Sequence, residues 1–122
     1  MADIVSNDSR LDVAKQVASV LDSHKAGNVV LLDVRECSSI ADYFIICTSN
    51  SDAHLRGLVS HLKDFFEDVG IRVLRSSSAV EWFLLDCGDI IVNIMNSDTR
   101  DFYRLEELWH DAPVIFQSSG SN

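Results

Sequence analysis

The stretch Trp82–Met95, WFLLDCGDIIVNIM, carries the most decisive pattern in this 122-residue chain. Trp82–Asp86 and Asp89–Met95 are two strand-like runs separated by Cys87-Gly88, a spacing that predicts a β-hairpin with Gly at positive φ in the turn. Counting outward from Cys87-Gly88 sets Asp86 opposite Asp89, Leu84 opposite Ile91 and Trp82 opposite Asn93. One face of the hairpin then holds Phe83, Leu85, Ile90, Val92 and Ile94 and reads as core. The other holds Trp82, Leu84, Ile91, Asn93 and Met95, with Asp86 and Asp89 at the turn end. This second face is apolar but interrupted. Either the last helix covers it, or it stays open as a docking surface with an aromatic anchor, a flat apolar centre and a polar rim.

Upstream of the hairpin, Ile71–Arg75 reads as a short strand near a sheet edge, followed by a loop at Ser76, Ser77 and Ser78. Between Ser51 and Gly70, the residues Leu55, Leu58, Val59, Leu62, Phe65, Phe66 and Val69 recur at helical spacing, and Gly70 supplies a left-handed stop. Tyr43–Thr48 and Val29–Val34 are unbroken apolar runs of the kind buried on both faces. Val13, Ala14, Val17, Ala18, Val20 and Leu21 form the apolar stripe of a first helix, which Gly27-Asn28 is expected to end. Downstream, Asn96-Ser97-Asp98 caps a last helix bearing Phe102, Leu105 and Trp109 on one side and Arg100, Arg104 and Glu107 outside. Helix, strand, strand, helix, three strands and helix define an α/β domain with a mixed sheet of about five strands flanked by helices. The domain is expected to occupy residues 9–113, between a flexible N-terminus at 1–8 and a flexible tail at 114–122.

Composition limits the function. Apolar residues make up 47% of the chain, enough for a core that needs no disulfide staples, and Cys37, Cys47 and Cys87 include no Cys-x-x-Cys pair. The formal charge is 10 − 19 = −9, which argues against a nucleic-acid footprint and favours partners rich in Lys and Arg. No apolar run approaches the ~20 residues of a membrane span. The opening MADIVSNDSR has neither a secretory nor a transit pattern, so the expectation is a cytosolic protein or a processed organelle one.

The segments SSIADYFIICTSNSDAHL and W-x-L-x-D-x-G-D, followed by RDFYRLEELWHDAP, resemble the ribosomal silencing factor family, also called Iojap or RsfS, from about Val29 to Pro113. The resemblance implies a non-catalytic homodimer that binds the large ribosomal subunit at its protein L-fourteen and prevents the small subunit from joining. It also implies a fold similar to that of nucleotidyltransferases. It places the Trp82 hairpin and the closing helix, with Tyr103, Leu105 and Trp109, at positions kept for structure and ribosomal contact. The chain has Asn93 and Met95 where the family usually has His and then Phe, and Ser49 where Gly is frequent.

The partner-binding set is therefore Trp82, Leu84, Asp86, Asp89, Ile91, Asn93, Met95 and Tyr103, with no catalytic residue, metal or cofactor. The alternatives are a metal-dependent nucleotidyl or phosphoryl transferase that uses Asp86 and Asp89 as ligands, and a dimeric ribosome-assembly adaptor. Against the transferase, Thr48-Ser49 stands where a Gly-Ser phosphate hook is needed, and no acidic-x-acidic triplet occurs in the chain. His54 and His61 lie too far apart for adjacent-turn chelation and read as solvated; Cys47 reads as a buried small hydrophobe, and Ser49, Ser51 and Asp52 as loop and cap residues.

Overall fold

The computed structural model describes residues 7–78, 82–104, 107 and 110–118. Helix α1 (Asn7–Ser23) leads to β1 (Gly27–Asp33) and β2 (Tyr43–Thr48), then α2 (Asp52–Asp68). The edge strand β3 (Arg75–Ser78), the hairpin β4 (Trp82–Asp86) and β5 (Ile90–Met95), helix α3 (Ser97–Tyr103) and β6 (Val114–Gln117) complete the chain. The strands form one six-stranded sheet in the order β3-β4-β5-β2-β1-β6. The β2–β5 pair is parallel and every other pair is antiparallel.

Alternation along the strands creates two apolar layers. Leu31, Tyr43, Ile45, Cys47, Leu85, Val92 and Ile94 face the helices, where Val17 and Leu21 of α1 and Leu58, Leu62 and Phe66 of α2 pack on them. Each side chain of this size contributes about 1.5 to 3 kcal/mol when fully buried. The opposite face gathers Val30, Leu32, Phe44, Ile46, Ile91 and Met95 with Ala112, and Trp82 and Leu84 lie at its border.

The hairpin faces are those expected, but its register differs by two residues. Trp82 pairs with Met95, Leu84 with Asn93 and Asp86 with Ile91. The Cys87 N–H bonds the Ile90 carbonyl at 2.9 Å, so the turn residues are Gly88-Asp89 rather than Cys87-Gly88. Of these two, only Gly88 has positive φ, +89°, the pattern of a type II′ turn. The Asp86 carboxylate accepts the Gly88 N–H at 2.8 Å and fixes this choice. A shift of two preserves face membership because side chains alternate with period two.

Three other expectations change. Helix α1 ends before Gly27: Lys25 takes the left-handed position at φ 71°, and the Ala26 and Lys25 N–H groups bond Leu21 and Asp22. Gly27 instead opens β1. The edge strand is Arg75–Ser78 rather than Ile71–Arg75, because an edge needs backbone pairing on one side only and serine does not oppose it; the Arg75–Asp86 pair at 2.9 Å anchors its register. Residues 114–117 form β6 rather than a free tail: Val114, Phe116 and Gln117 pair with β1, and Ser118 exchanges bonds with Val29 at 2.9 and 3.0 Å. The ends of the chain at 1–6 and 119–122 lie outside the described residues.

The second helix follows the sequence reading closely. Ser51 caps it by accepting the His54 N–H at 3.0 Å, and Gly70 at φ 75° closes it. Helix α3 begins at the Asn96 cap, whose side chain accepts the Thr99 N–H at 2.8 Å, and ends at Arg104 in the left-handed region. Leu105 and Trp109 lie outside the described residues.

Replacing Gly88 by Val tests the turn. A β-branched residue at this φ should lower stability by more than ~1 kcal/mol in denaturant titration. An unchanged midpoint would contradict the type II′ assignment.

Candidate surface for partner docking

Strand β5 is flanked by β4 and β2, so its side chains lie at the middle of the second apolar layer. Ile91 is 6% exposed and Asn93 and Met95 are 0% exposed. These three, expected among the contact residues, are packed instead inside the molecule. Trp82 and Leu84, one strand further out, are half-buried, as are Asp86 and Asp89 at the turn. Tyr103 closes α3, and its side chain is outside what is described.

The half-open border follows from the chain path. After β5, Arg100 of α3 donates through Nη1 to the Asn28 carbonyl at 2.6 Å and to Thr48 Oγ1 at 3.0 Å, tying α3 to the ends of β1 and β2. Ala112 then joins the layer over Val30 and Leu32, and the Pro113 carbonyl accepts the Asp33 N–H at 3.0 Å. The described part of this segment is thus anchored toward β1 and β6, away from β4. Arg100 was expected on the outside of its helix but is 8% exposed. Asn28, whose carbonyl Arg100 binds, takes the left-handed region at φ 45°, a conformation asparagine tolerates.

Trp82 and Asn93 meet as expected, although by a diagonal route. They are not cross-strand partners in the observed register, yet the indole Nε1–H donates to Asn93 Oδ1 at 2.9 Å. Diagonal neighbours remain within reach of an aromatic side chain. The Asn93 amide also lies 3.5 Å from the Ile45 carbonyl. A buried amide without partners costs about 1 to 3 kcal/mol, so these contacts are what make Asn93 tolerable in an apolar layer.

Asp86 and Asp89 do not form a joint ligand pair. Asp86 turns to Arg75 on the edge strand, while Asp89 meets Arg10 of α1 at 2.5 Å. Among the described residues no group of three His, Cys, Asp or Glu side chains could hold a metal ion. Asp42 lies beside the same turn, its N–H bonding the Asp89 carbonyl at 2.8 Å. Three carboxylates and two guanidiniums therefore border the β4–β5 turn. The Gly88 N–H, assisted by Arg75, holds the Asp86 carboxyl below its ordinary value despite the opposing effect of burial.

The remaining polar candidates have structural roles. His54 Nδ1 accepts the Asn50 N–H at 3.0 Å, which leaves Nε2–H to donate to the His24 carbonyl at 3.0 Å; His54 is therefore tied in rather than solvated. His61 is exposed but stacks on His24 at 3.6 Å. Burial pushes the Cys47 thiol up to about 12 and the Cys87 thiol up to about 11, the latter helped by Asp86, so neither is a poised nucleophile. A cleft of about 680 Å³ beside α3 sets Arg100 and Arg104 against Asp101 and Glu107, and so presents no single sign of charge.

The molecule is thus an α/β domain with a buried sheet and a half-buried Trp82 at the border of its second apolar layer. Comparison with known proteins makes the class specific. Residues 7–121 match the family model described as "Ribosomal silencing factor during starvation". The chain is 36% identical over 112 residues to ribosomal silencing factor RsfS of Bacillus subtilis, covering 90% of this chain and 95% of that protein. A crystal structure of a Bacillus halodurans protein superposes with a TM-score of 0.72 at 31% identity, covering 90% of this chain and 99% of the other. The mouse protein named "Mitochondrial assembly of ribosomal large subunit protein 1" is 26% identical over 98 residues, 76% of this chain and 43% of that protein. The chain belongs to the ribosomal silencing factor family.

The Asp86 site has a defined pH signature. Its folded-state pKa is depressed, so its contribution to stability is present above the ordinary aspartate value near 3.8 and is lost as pH falls through the folded-state value. Asp86→Asn should therefore lower the denaturant midpoint at pH 7, and the gap to wild type should narrow as pH falls below about 4. A gap independent of pH would contradict this role for the charge.

Proposed function

We propose that this chain docks on the large ribosomal subunit at protein L-fourteen through the β4 border, and thereby occupies volume that the small subunit needs. The observation that carries the reading is the half-buried indole of Trp82 beside Leu84, at the border of an apolar layer and next to an acidic turn. A partly covered aromatic with apolar neighbours and a charged rim is the usual anatomy of an anchor. Family membership and the name of the mouse relative support a ribosomal partner and, within it, the large subunit.

Charge supports the same direction. A net charge of −9 steers the protein toward basic protein surfaces and away from the phosphate of ribosomal RNA. Size is adequate for obstruction, since a 122-residue domain has a radius of gyration of roughly 14 Å. No bond is made or broken in this mechanism, and it requires no cofactor. The free protein is proposed to be a homodimer, acting in a bacterial cytoplasm or in an organelle.

The test is Trp82→Ala, measured both by denaturant midpoint and by affinity for isolated large subunits. The account predicts a folded protein that binds about thirtyfold more weakly, the ratio corresponding to ~2 kcal/mol. Unchanged affinity in the folded variant would remove Trp82 from the contact.

A further inference from the structure

We infer that Asn93, although wholly buried, is a positioning residue that sets the orientation in which Trp82 is presented to the partner. This inference rests on the docking reading above and deepens it. Asn93 is 0% exposed and can touch no partner in the folded protein. Around it on the same sheet face are Phe44, Ile46, Ile91 and Met95, so an apolar side chain would suit the packing at least as well as an amide. What the amide adds is a directional contact with Trp82.

The geometry makes that contact informative. An indole N–H can only donate, so the Asn93 atom facing it at 2.9 Å must be the oxygen. The amide nitrogen then points toward the Ile45 carbonyl of β2, 3.5 Å away, which favours the same orientation of the side chain. Trp82 is cross-strand from Met95 and Asn93 from Leu84, so the indole must lean diagonally over the sheet to reach its acceptor. The ring is thereby held in one of the orientations open to the half-buried Trp82 side chain. An anchor already held in its bound orientation loses less freedom on association, which strengthens binding without adding any contact to the partner.

The experiment uses the full chain with Asn93→Leu and, separately, with Trp82 replaced by β-(3-benzothienyl)alanine, which keeps the bicyclic shape but has sulfur in place of N–H. Affinity for isolated large subunits is read together with the denaturant midpoint. The Trp82 indole N–H resonance, assigned with Trp82→Phe, is followed in Asn93→Leu. Each replacement should weaken binding about tenfold, and the two combined should be no weaker than either alone, since both remove one interaction. The indole resonance should shift in Asn93→Leu, whereas the midpoint stays at or above that of wild type.

A folded Asn93→Leu with a shifted indole resonance and affinity within about twofold of wild type would overturn the inference, as would near-normal binding by the benzothienyl protein. If Asn93→Leu does not fold, the benzothienyl replacement decides alone, because it leaves the buried layer intact. Trp82→Ala measured in parallel separates the two levels of the argument. Loss of binding there with normal binding in both other variants refutes only the positioning role, and normal binding in Trp82→Ala refutes the docking reading itself.

Discussion

The parallel pairing of β2 with β5, from Tyr43↔Ile90 to Thr48↔Met95, is the contact on which the rest of the molecule depends. It joins strands separated by α2, β3 and β4, and it places at the centre of the sheet two segments whose side chains are buried on both faces. On one face Tyr43, Ile45, Val92 and Ile94 give α1 and α2 a continuous apolar floor. On the other, Phe44, Ile46, Ile91 and Met95 form the second layer, and β4 hangs from β5 at its border. Trp82 lies one strand out from this buried centre, on β4 between β5 and the edge strand β3.

The same arrangement keeps the two carboxylates of the hairpin turn apart. Arg10 comes from the helical side and Arg75 from the edge strand, and each draws one of Asp86 and Asp89 away from the other. Most of these groups are partly solvated, where single ion pairs add little stability. Their more important effect is to place charge around an apolar border. In the docking proposed above, this rim surrounds the aromatic and aliphatic groups that would make the contact.

How far the sequence discloses this depends on which physical signal each residue carries. The two hairpin faces are legible because alternation survives any even shift, which is why Trp82 and Asn93 fall on the same face in either register. The register itself is not, since it depends on the Asp86 side chain bonding the Gly88 N–H, a local choice that spacing alone does not reveal. Helix α2 is legible in full because periodicity, a Ser51 cap and a Gly70 stop agree. Lys25 at a left-handed helix end contradicts propensity and is held by local bonds back to Leu21 and Asp22, whereas serines in an edge strand and a last strand just before the polar SSGSN end are decided by pairing partners elsewhere. The candidate surface is legible in part: Trp82 and Leu84 are half-buried, but burial of Ile91, Asn93 and Met95 follows from β5 being interior, which only the strand order reveals.

The central claim is obstruction, and subunit joining measures it directly. Isolated large subunits saturated with the protein would be mixed with small subunits and resolved on a gradient. The account predicts that joined ribosomes decrease in proportion to the fraction of large subunits carrying the protein, with the protein migrating alongside the unjoined large subunits. Full joining with the protein still bound would contradict it.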